Sequence, residues 1–267
     1  MTAIRRLIQS CAAACLLAGG VQAMENPVSL TVLPGWRAED GTHIAGLRLD
    51  LEEGWKTYWR APGEAGIPPS FDFEASENLA GFEVIFPTPI VFGQSGGHAI
   101  GYSGSVILPL VISPENDGDI SLRGTLDIGV CKEVCLPVAL ELAATLPQDG
   151  PRRDTVIAGA LAARPFSREE AGVRRATCTL TPNGDGALLT TTVQMPHTGG
   201  TETLVVEPGE MTTWVASTTS SRDGDTLTAT SELLSMTGEA IGLNRSALRI
   251  TVLGRDYAVE IQGCTGG

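Results

Sequence analysis

The sequence predicts an all-β protein made of two β-sandwich domains joined by a short helical linker. Apolar residues recur at every second position in several stretches, for example Leu126, Ile128 and Val130. This period is typical of half-buried strands. Turn-forming pairs such as Pro34-Gly35 and Pro62-Gly63 lie between these stretches, as the short connections of an antiparallel sandwich require.

The N-terminus reads as a secretory signal peptide over residues 1–23. Arg5 and Arg6 precede a run of alanine, cysteine and leucine, and the segment ends in the small-residue pattern Val21-Gln22-Ala23. We expect cleavage after about Ala23 and a mature protein in the periplasm. After residue 23 no apolar run approaches the roughly 18 residues of a membrane helix, so we expect a protein that is not inserted in the membrane.

The mature chain is acidic. Removing the signal peptide takes the formal charge from −13 to −15, which disfavours nucleic acid as a ligand. The remaining 244 residues exceed one typical domain and indicate two.

The domain boundaries follow from the interruption of the two-residue period. We predict a first sandwich over 24–149, a linker over 150–176 and a second sandwich over 177–267. Asp154 or Thr155 can cap a short helix in the linker. One face of this helix would carry Val156, Ile157, Ala160 and Leu161, and Pro165 would stop it.

Two of the four mature cysteines, Cys178 and Cys264, bracket the second sandwich. A disulfide between them would restrict the unfolded chain by about 4 to 5 kcal/mol in the chain-entropy model, so we interpret the pair as a structural disulfide. Cys264 is out of phase with Val259 and Ile261, which requires an irregularity at Gly263.

Cys131 and Cys135 enclose only three residues, and a disulfide there would contribute about 2 kcal/mol in the same model. In a straight strand their α-carbons would lie about 13 Å apart, whereas a disulfide needs about 5.5 Å. The chain must therefore bend at Lys132-Glu133-Val134. The residue types leave three interpretations open: a redox-active pair, an inert loop disulfide and a soft-metal site.

The charges beside the cysteine pair and the possible metal ligands indicate less about function than the cysteine spacing does. Lys132 favours a neighbouring thiolate, while Glu133 opposes it. Two thiolates suit Cu(I) or zinc, but His43, His98 and His197 are not at motif spacing. We therefore predict no metal ligands and no organic cofactor.

A series of motifs resembles the N-terminal periplasmic domain of the thiol:disulfide interchange protein DsbD, within the DsbD-like branch that includes the ScsB copper-tolerance proteins. The likeness covers about Val28 to Leu146. The motifs are Gly54-Trp55-Lys56-Thr57-Tyr58-Trp59-Arg60-Ala61-Pro62-Gly63, Gly66-Ile67-Pro68-Pro69-Ser70, Phe86-Pro87, Gly101-Tyr102-Ser103-Gly104, Val106-Ile107-Leu108-Pro109-Leu110 and the segment from Cys131 to Pro137.

This resemblance implies an immunoglobulin-like sandwich with thiol:disulfide interchange activity. It implies that Cys135 is the attacking thiol and that Cys131 resolves the mixed disulfide. It also implies that Phe92 caps the pair and that Tyr58 lies beside it. From residue type alone, Phe92 is equally well an ordinary core aromatic, and Tyr58 a buried strand tyrosine.

The expected partners are a membrane electron donor of the DsbD type and periplasmic thioredoxin-like or disulfide-bearing proteins. The family's transmembrane conduit and thioredoxin-like domain have no counterpart in this sequence, so we expect the electrons to come from a separate protein. Two alternatives remain: a module that binds Cu(I) through Cys131 and Cys135, and a structural scaffold with two inert disulfides.

Overall fold

The computed structural model describes residues 26–63, 66–94, 97–150, 153–209 and 212–267. The signal peptide predicted for residues 1–23 lies outside these ranges. The predicted all-β fold is confirmed, with strands over 58% of the chain and 3% helix. No helix in the described part of the chain is long and apolar enough to cross a membrane.

The described residues form eighteen strands and one helix. In chain order these are β1 (Val28–Arg37), β2 (His43–Leu51), β3 (Lys56–Gly63), β4 (Ser70–Asp72), β5 (Gly81–Val84), β6 (Ile90–Gln94), β7 (Gly97–Ser103), β8 (Ser105–Ser113), β9 (Ile120–Cys131), β10 (Cys135–Leu146), α1 (Thr155–Ala162), β11 (Arg175–Asn183), β12 (Gly186–Gln194), β13 (Thr203–Glu207), β14 (Thr213–Asp223), β15 (Thr226–Ser235), β16 (Arg249–Leu253), β17 (Ala258–Gln262) and β18 (Thr265–Gly266).

Strands β1 to β10 make two sheets. One has the order β1-β2-β8-β5, and the other has the order β10-β9-β3-β7-β6 with β4 paired to β9. The apolar side chains at alternate positions, such as Leu47, Leu49, Leu126 and Ile128, meet in one core between the sheets. Trp59 of β3 is fully buried in it.

Strands β11 to β18 make a second pair of sheets, with the orders β14-β15-β12-β11-β18 and β13-β16-β17. Their core contains Leu189, Val193, Ile250 and Ile261. A turn at Gly254 to Asp256 connects the antiparallel strands β16 and β17, and the Gly254 amide donates to the Tyr257 carbonyl at 3.2 Å.

Helix α1 begins where the sequence indicates. The Asp154 carboxylate accepts hydrogen bonds from the amides of Val156 and Ile157, as an N-cap residue does. The predicted apolar face is only partly correct, because Ile157 is fully buried while Val156 is 57% exposed. Ile157 is therefore the buried residue through which this surface helix packs on the rest of the protein.

The second pair of sheets packs directly on the first. Leu253 and Ala258 join the core of the first sandwich. Arg60 in β3 donates to Glu207 at 2.9 Å and to Glu260 at 2.5 Å, and its guanidinium lies 4.1 Å from the centroid of the Trp59 ring. An ion-pair cluster and an apolar contact together join β3 to the sheet that contains β13, β16 and β17.

Candidate functional site

The Cys131–Cys135 pair closes the end of a β-hairpin. Cys131 is the last residue of β9, Cys135 is the first of β10, and the two are direct cross-strand partners. Their sulfurs are bonded and their α-carbons lie 4.1 Å apart. The bend predicted at Lys132 to Val134 is a three-residue turn in which the Lys132 amide donates to the Val134 carbonyl at 3.3 Å.

The pair lies on the outer face of its sheet, away from the sandwich core. Leu126, Ile128 and Val130 of β9 point into the core, and successive side chains of a strand point to opposite faces. Cys131 therefore points outward, yet it is only 4% exposed. Cys135 is exposed. The disulfide thus has one covered sulfur and one accessible sulfur.

Tyr58 provides part of the cover. Strand β3 pairs with β9 so that Lys56 lies opposite Cys131, and Tyr58, two residues further, is on the same face. The Tyr58 hydroxyl lies 2.9 Å from Cys131 Sγ and 3.4 Å from Cys135 Sγ. Because a disulfide has no S–H group, the hydroxyl is the donor. Burial raises the pKa of Tyr58, which keeps this donor protonated.

Small residues make room for the Tyr58 ring. A β-carbon at Gly129 would lie 2.7 Å from Ile67 Cβ and 3.1 Å from the Tyr58 ring, and one at Gly66 would lie 2.8 Å from that ring. A β-carbon at Gly101, the β7 partner of Tyr58, would lie 2.0 Å from the Thr57 carbonyl oxygen. Gly66 and Gly129 therefore leave space for the Tyr58 ring, and Gly101 leaves space for the backbone beside it.

Phe92 lies beside the same cluster. It lies on β6 opposite Ala99 of β7, and it packs with Tyr58, Ala99 and Cys131 in a cluster separate from the sandwich core. Strands β6 and β7 around it are antiparallel partners. The structure thus brings all four predicted site residues, Cys131, Cys135, Tyr58 and Phe92, to one place.

Sequence reasoning missed Lys56. Its ammonium lies 4.4 Å from the centroid of the Phe92 ring. Lys132, which sequence reasoning singled out, instead donates to the Glu53 carbonyl at 3.0 Å. The alternation along β3 places Lys56 on the same face as Tyr58, but nothing in the sequence shows that β3 lies beside Cys131.

The second disulfide joins Cys178 and Cys264, whose α-carbons are 5.9 Å apart. The irregularity required near Cys264 is present. Gly263 has φ +75°, a conformation that glycine adopts readily, and the chain there leaves β17 to enter the opposite sheet as β18. Cys178 is 1% exposed, so this disulfide lies inside the second sandwich.

The described residues contain no group of three or more histidine, cysteine, aspartate or glutamate side chains placed to hold a metal ion. Of the three histidines considered from sequence, His43 is buried with Nε2 2.6 Å from the Pro34 carbonyl oxygen. Burial lowers its pKa. His98 and His197 are exposed.

Comparison with known proteins agrees with this geometry. Residues 30–147 match the family described as thiol:disulfide interchange protein DsbD, N-terminal. The chain is similar in structure to the N-terminal periplasmic domain of ScsB from Proteus mirabilis. The TM-score is 0.70 at 21% identity, over 90% of this chain and 94% of that one.

That structural likeness shows a shared fold, and its extent includes most of the second pair of sheets. No match was found among curated protein sequences. Similarity to the DsbD N-terminal family, expected from the sequence motifs, is therefore found over residues 30–147.

Proposed function

We propose that this protein is a periplasmic thiol:disulfide carrier. Its Cys131–Cys135 pair accepts electrons from a separate membrane reductase of the DsbD type and passes them to thioredoxin-like or disulfide-bearing proteins. The observation that carries the proposal is the asymmetry of the pair, with one exposed and one covered sulfur in a domain of an interchange family. The signal-peptide pattern of residues 1–23 supports the periplasmic location.

Loading the carrier begins with attack by a donor thiolate on Cys135 Sγ, which is the accessible sulfur. A new S–S bond forms between the donor and Cys135, the Cys131–Cys135 bond breaks, and its electron pair goes to Cys131 Sγ. The Tyr58 hydroxyl, already 2.9 Å away, donates to the thiolate so formed. A second donor thiol then attacks the mixed disulfide and releases Cys135 as a thiolate.

Unloading uses the same groups in reverse. The Cys135 thiolate attacks a substrate disulfide, and one substrate sulfur leaves with the electron pair. The Cys131 thiolate then attacks Cys135 Sγ, reforms the internal disulfide and expels the second substrate sulfur. Exchange of this kind needs one accessible thiolate and a second thiol close enough to release the partner.

Phe92 gives this exchange its selectivity. The ring packs against Tyr58, Ala99 and Cys131, and in this proposal it limits the access of small oxidants and thiols to the Cys131 sulfur. A partner protein must fit against this face to react.

Two single-cysteine variants test the assignment of roles. Cys131→Ser retains the accessible thiol and should trap a mixed disulfide with a thioredoxin-like protein supplied in its oxidised form. Cys135→Ser retains only the covered thiol and should trap far less. Equal trapping by both variants would contradict the assigned roles.

Electron transfer tests the function itself. The reduced wild-type protein should reduce a periplasmic-type disulfide protein and be reduced again by a dithiol donor, while the double variant Cys131→Ser/Cys135→Ser does neither. A wild-type protein as inactive as the double variant would contradict the carrier function and favour a scaffold with inert disulfides.

A further inference from the structure

The chain contains two lysines, Lys56 and Lys132, and both lie close to the cysteine pair in the structure. Their structural settings differ. Lys132 lies in the turn between the cysteines, where its ammonium donates to the Glu53 carbonyl at 3.0 Å. Lys56 lies on β3 as the direct cross-strand partner of Cys131. Lys132 is therefore the lysine nearest to Cys131 in sequence, whereas Lys56 is its neighbour across the sheet.

Lys56 and Cys131 are side by side on the outer face of the sheet. Directly paired residues on neighbouring antiparallel strands have β-carbons about 4.5 to 5.5 Å apart. The Lys56 ammonium lies 4.4 Å from the centroid of the Phe92 ring, and that ring packs against the cluster formed by Tyr58, Ala99 and Cys131. The charge is thus held over the same ring that covers the buried sulfur.

Exchange at this pair creates a negative charge in a covered place. In the oxidised protein the Cys131 sulfur is neutral, and an aromatic ring face is an adequate partner for a nearby cation. When the disulfide opens, the electron pair goes to Cys131 Sγ, and burial disfavours a thiolate. The Tyr58 hydroxyl offers a hydrogen bond but no positive charge.

We propose that Lys56 is a positioning residue for the proposed exchange reaction: it holds Phe92 over the disulfide and supplies the positive charge that stabilises the Cys131 thiolate once the disulfide opens. The inference rests on the proposed function for its biological meaning. Its physical content, a charge coupling between Lys56 and Cys131, is measured independently of any partner.

The other groups around Cys131 define what the measurement must separate. Strand β3 contributes the Tyr58 hydroxyl, β10 contributes Cys135, and β6 contributes the uncharged Phe92 ring. The turn contributes Lys132 and Glu133, which are exposed. Among these, only the two lysines can supply positive charge.

The test is a titration of Cys131 alone. In a Cys135→Ser background, the thiolate absorbance near 240 nm is followed against pH, first with Lys56 present and then with Lys56→Met. We expect the apparent pKa of Cys131 to rise by about one unit, the lower end of the shift that a nearby opposite charge produces. This rise is about a tenfold loss of thiolate below the pKa.

Three further variants make the result decisive. Lys56→Arg keeps the charge and should restore at least half of the shift, which a merely structural role would not do. Lys132→Met is the matched control and should leave the titration within about 0.2 units. Lys56→Gln gives a second neutral side chain if the methionine variant does not fold.

An unchanged Cys131 titration in both neutral Lys56 variants would overturn the proposal, as would an equal shift in Lys132→Met. Either result leaves the carrier function standing if wild-type protein still transfers electrons. Conversely, a shift confined to Lys56, in a protein that transfers none, supports the charge coupling and contradicts only the proposed function.

Discussion

The two disulfides of this protein contain the same chemical bond in opposite settings. Cys131 and Cys135 are four positions apart at the end of a hairpin, whereas Cys178 and Cys264 are 86 positions apart within the second sandwich. Cys135 is exposed, while Cys178 is 1% exposed. Loop length determines how much a disulfide restricts the unfolded chain, and exposure determines whether a thiol can reach it. In this protein the disulfide that closes the short loop is the accessible one, and the disulfide that closes the long loop is the more buried one.

The largest expected difference is in reducibility. We expect Cys131–Cys135 to titrate as one pair between about −180 and −270 mV, and Cys178–Cys264 only below about −300 mV, as structural disulfides do. A separation of about 60 mV is a hundredfold difference in the equilibrium constant. Alkylation in glutathione or dithiothreitol buffers, with mass spectrometry to locate the modified cysteines, measures both. Joint reduction of the two disulfides would remove the contrast.

The disulfide that is harder to reduce should contribute more to the free energy of unfolding. Cys178→Ala/Cys264→Ala should lower the free energy of unfolding by about 3 to 5 kcal/mol, and Cys131→Ala/Cys135→Ala by about 2 kcal/mol or less. Urea denaturation of the two double variants, each against wild type, gives the comparison. A larger loss for the hairpin pair would mean that it stabilises more than its short loop predicts.

Removal of the Tyr58 hydroxyl should slow the exposed pair alone. A hydrogen bond to a charged group contributes about 1.5 to 3 kcal/mol, so Tyr58→Phe should slow opening of Cys131–Cys135 by dithiothreitol about tenfold or more. Tyr257→Phe is the matched control, because its hydroxyl donates to the His197 carbonyl in the second sandwich. Equal rates in both variants would show that Tyr58 is a packing residue only.

Loss of the Phe92 ring should have the smallest effect, and in the opposite direction. Phe92→Ala removes the cover on Cys131 and the partner of the Lys56 ammonium, a contact of about 0.5 to 1 kcal/mol. Because the Cys131 sulfur becomes more accessible, reduction by a small thiol should become about two to five times faster. Phe166→Ala, a 42% exposed phenylalanine in the other half of the chain, is the control. Slower reduction in Phe92→Ala would contradict a covering role.

The candidate site was only partly predictable. The close spacing of Cys131 and Cys135 identified the cysteine pair, and the resemblance identified Tyr58 and Phe92. Lys56 was missed because its importance depends on the pairing of β3 with β9, two strands with 56 residues of chain (64–119) between them. The direction of the Lys132 side chain, which donates to the Glu53 carbonyl, also could not be predicted, because adjacency in sequence does not fix where a long side chain points. Gly129 and Gly66 had no assigned role, since crowding by the Tyr58 ring exists only in the folded sheet.

The sequence alone determined the all-β class, the bend between Cys131 and Cys135 and the cap of the linker helix. Each of these depends on local rules: the two-residue period of strands, the reach of a disulfide and the hydrogen bonding of an Asp154 carboxylate. Only the tertiary structure decided which cysteine is covered, which lysine lies beside it and how Arg60 joins the two sandwiches. Those outcomes depend on strand order and on contacts between residues far apart in the chain, which no local pattern specifies.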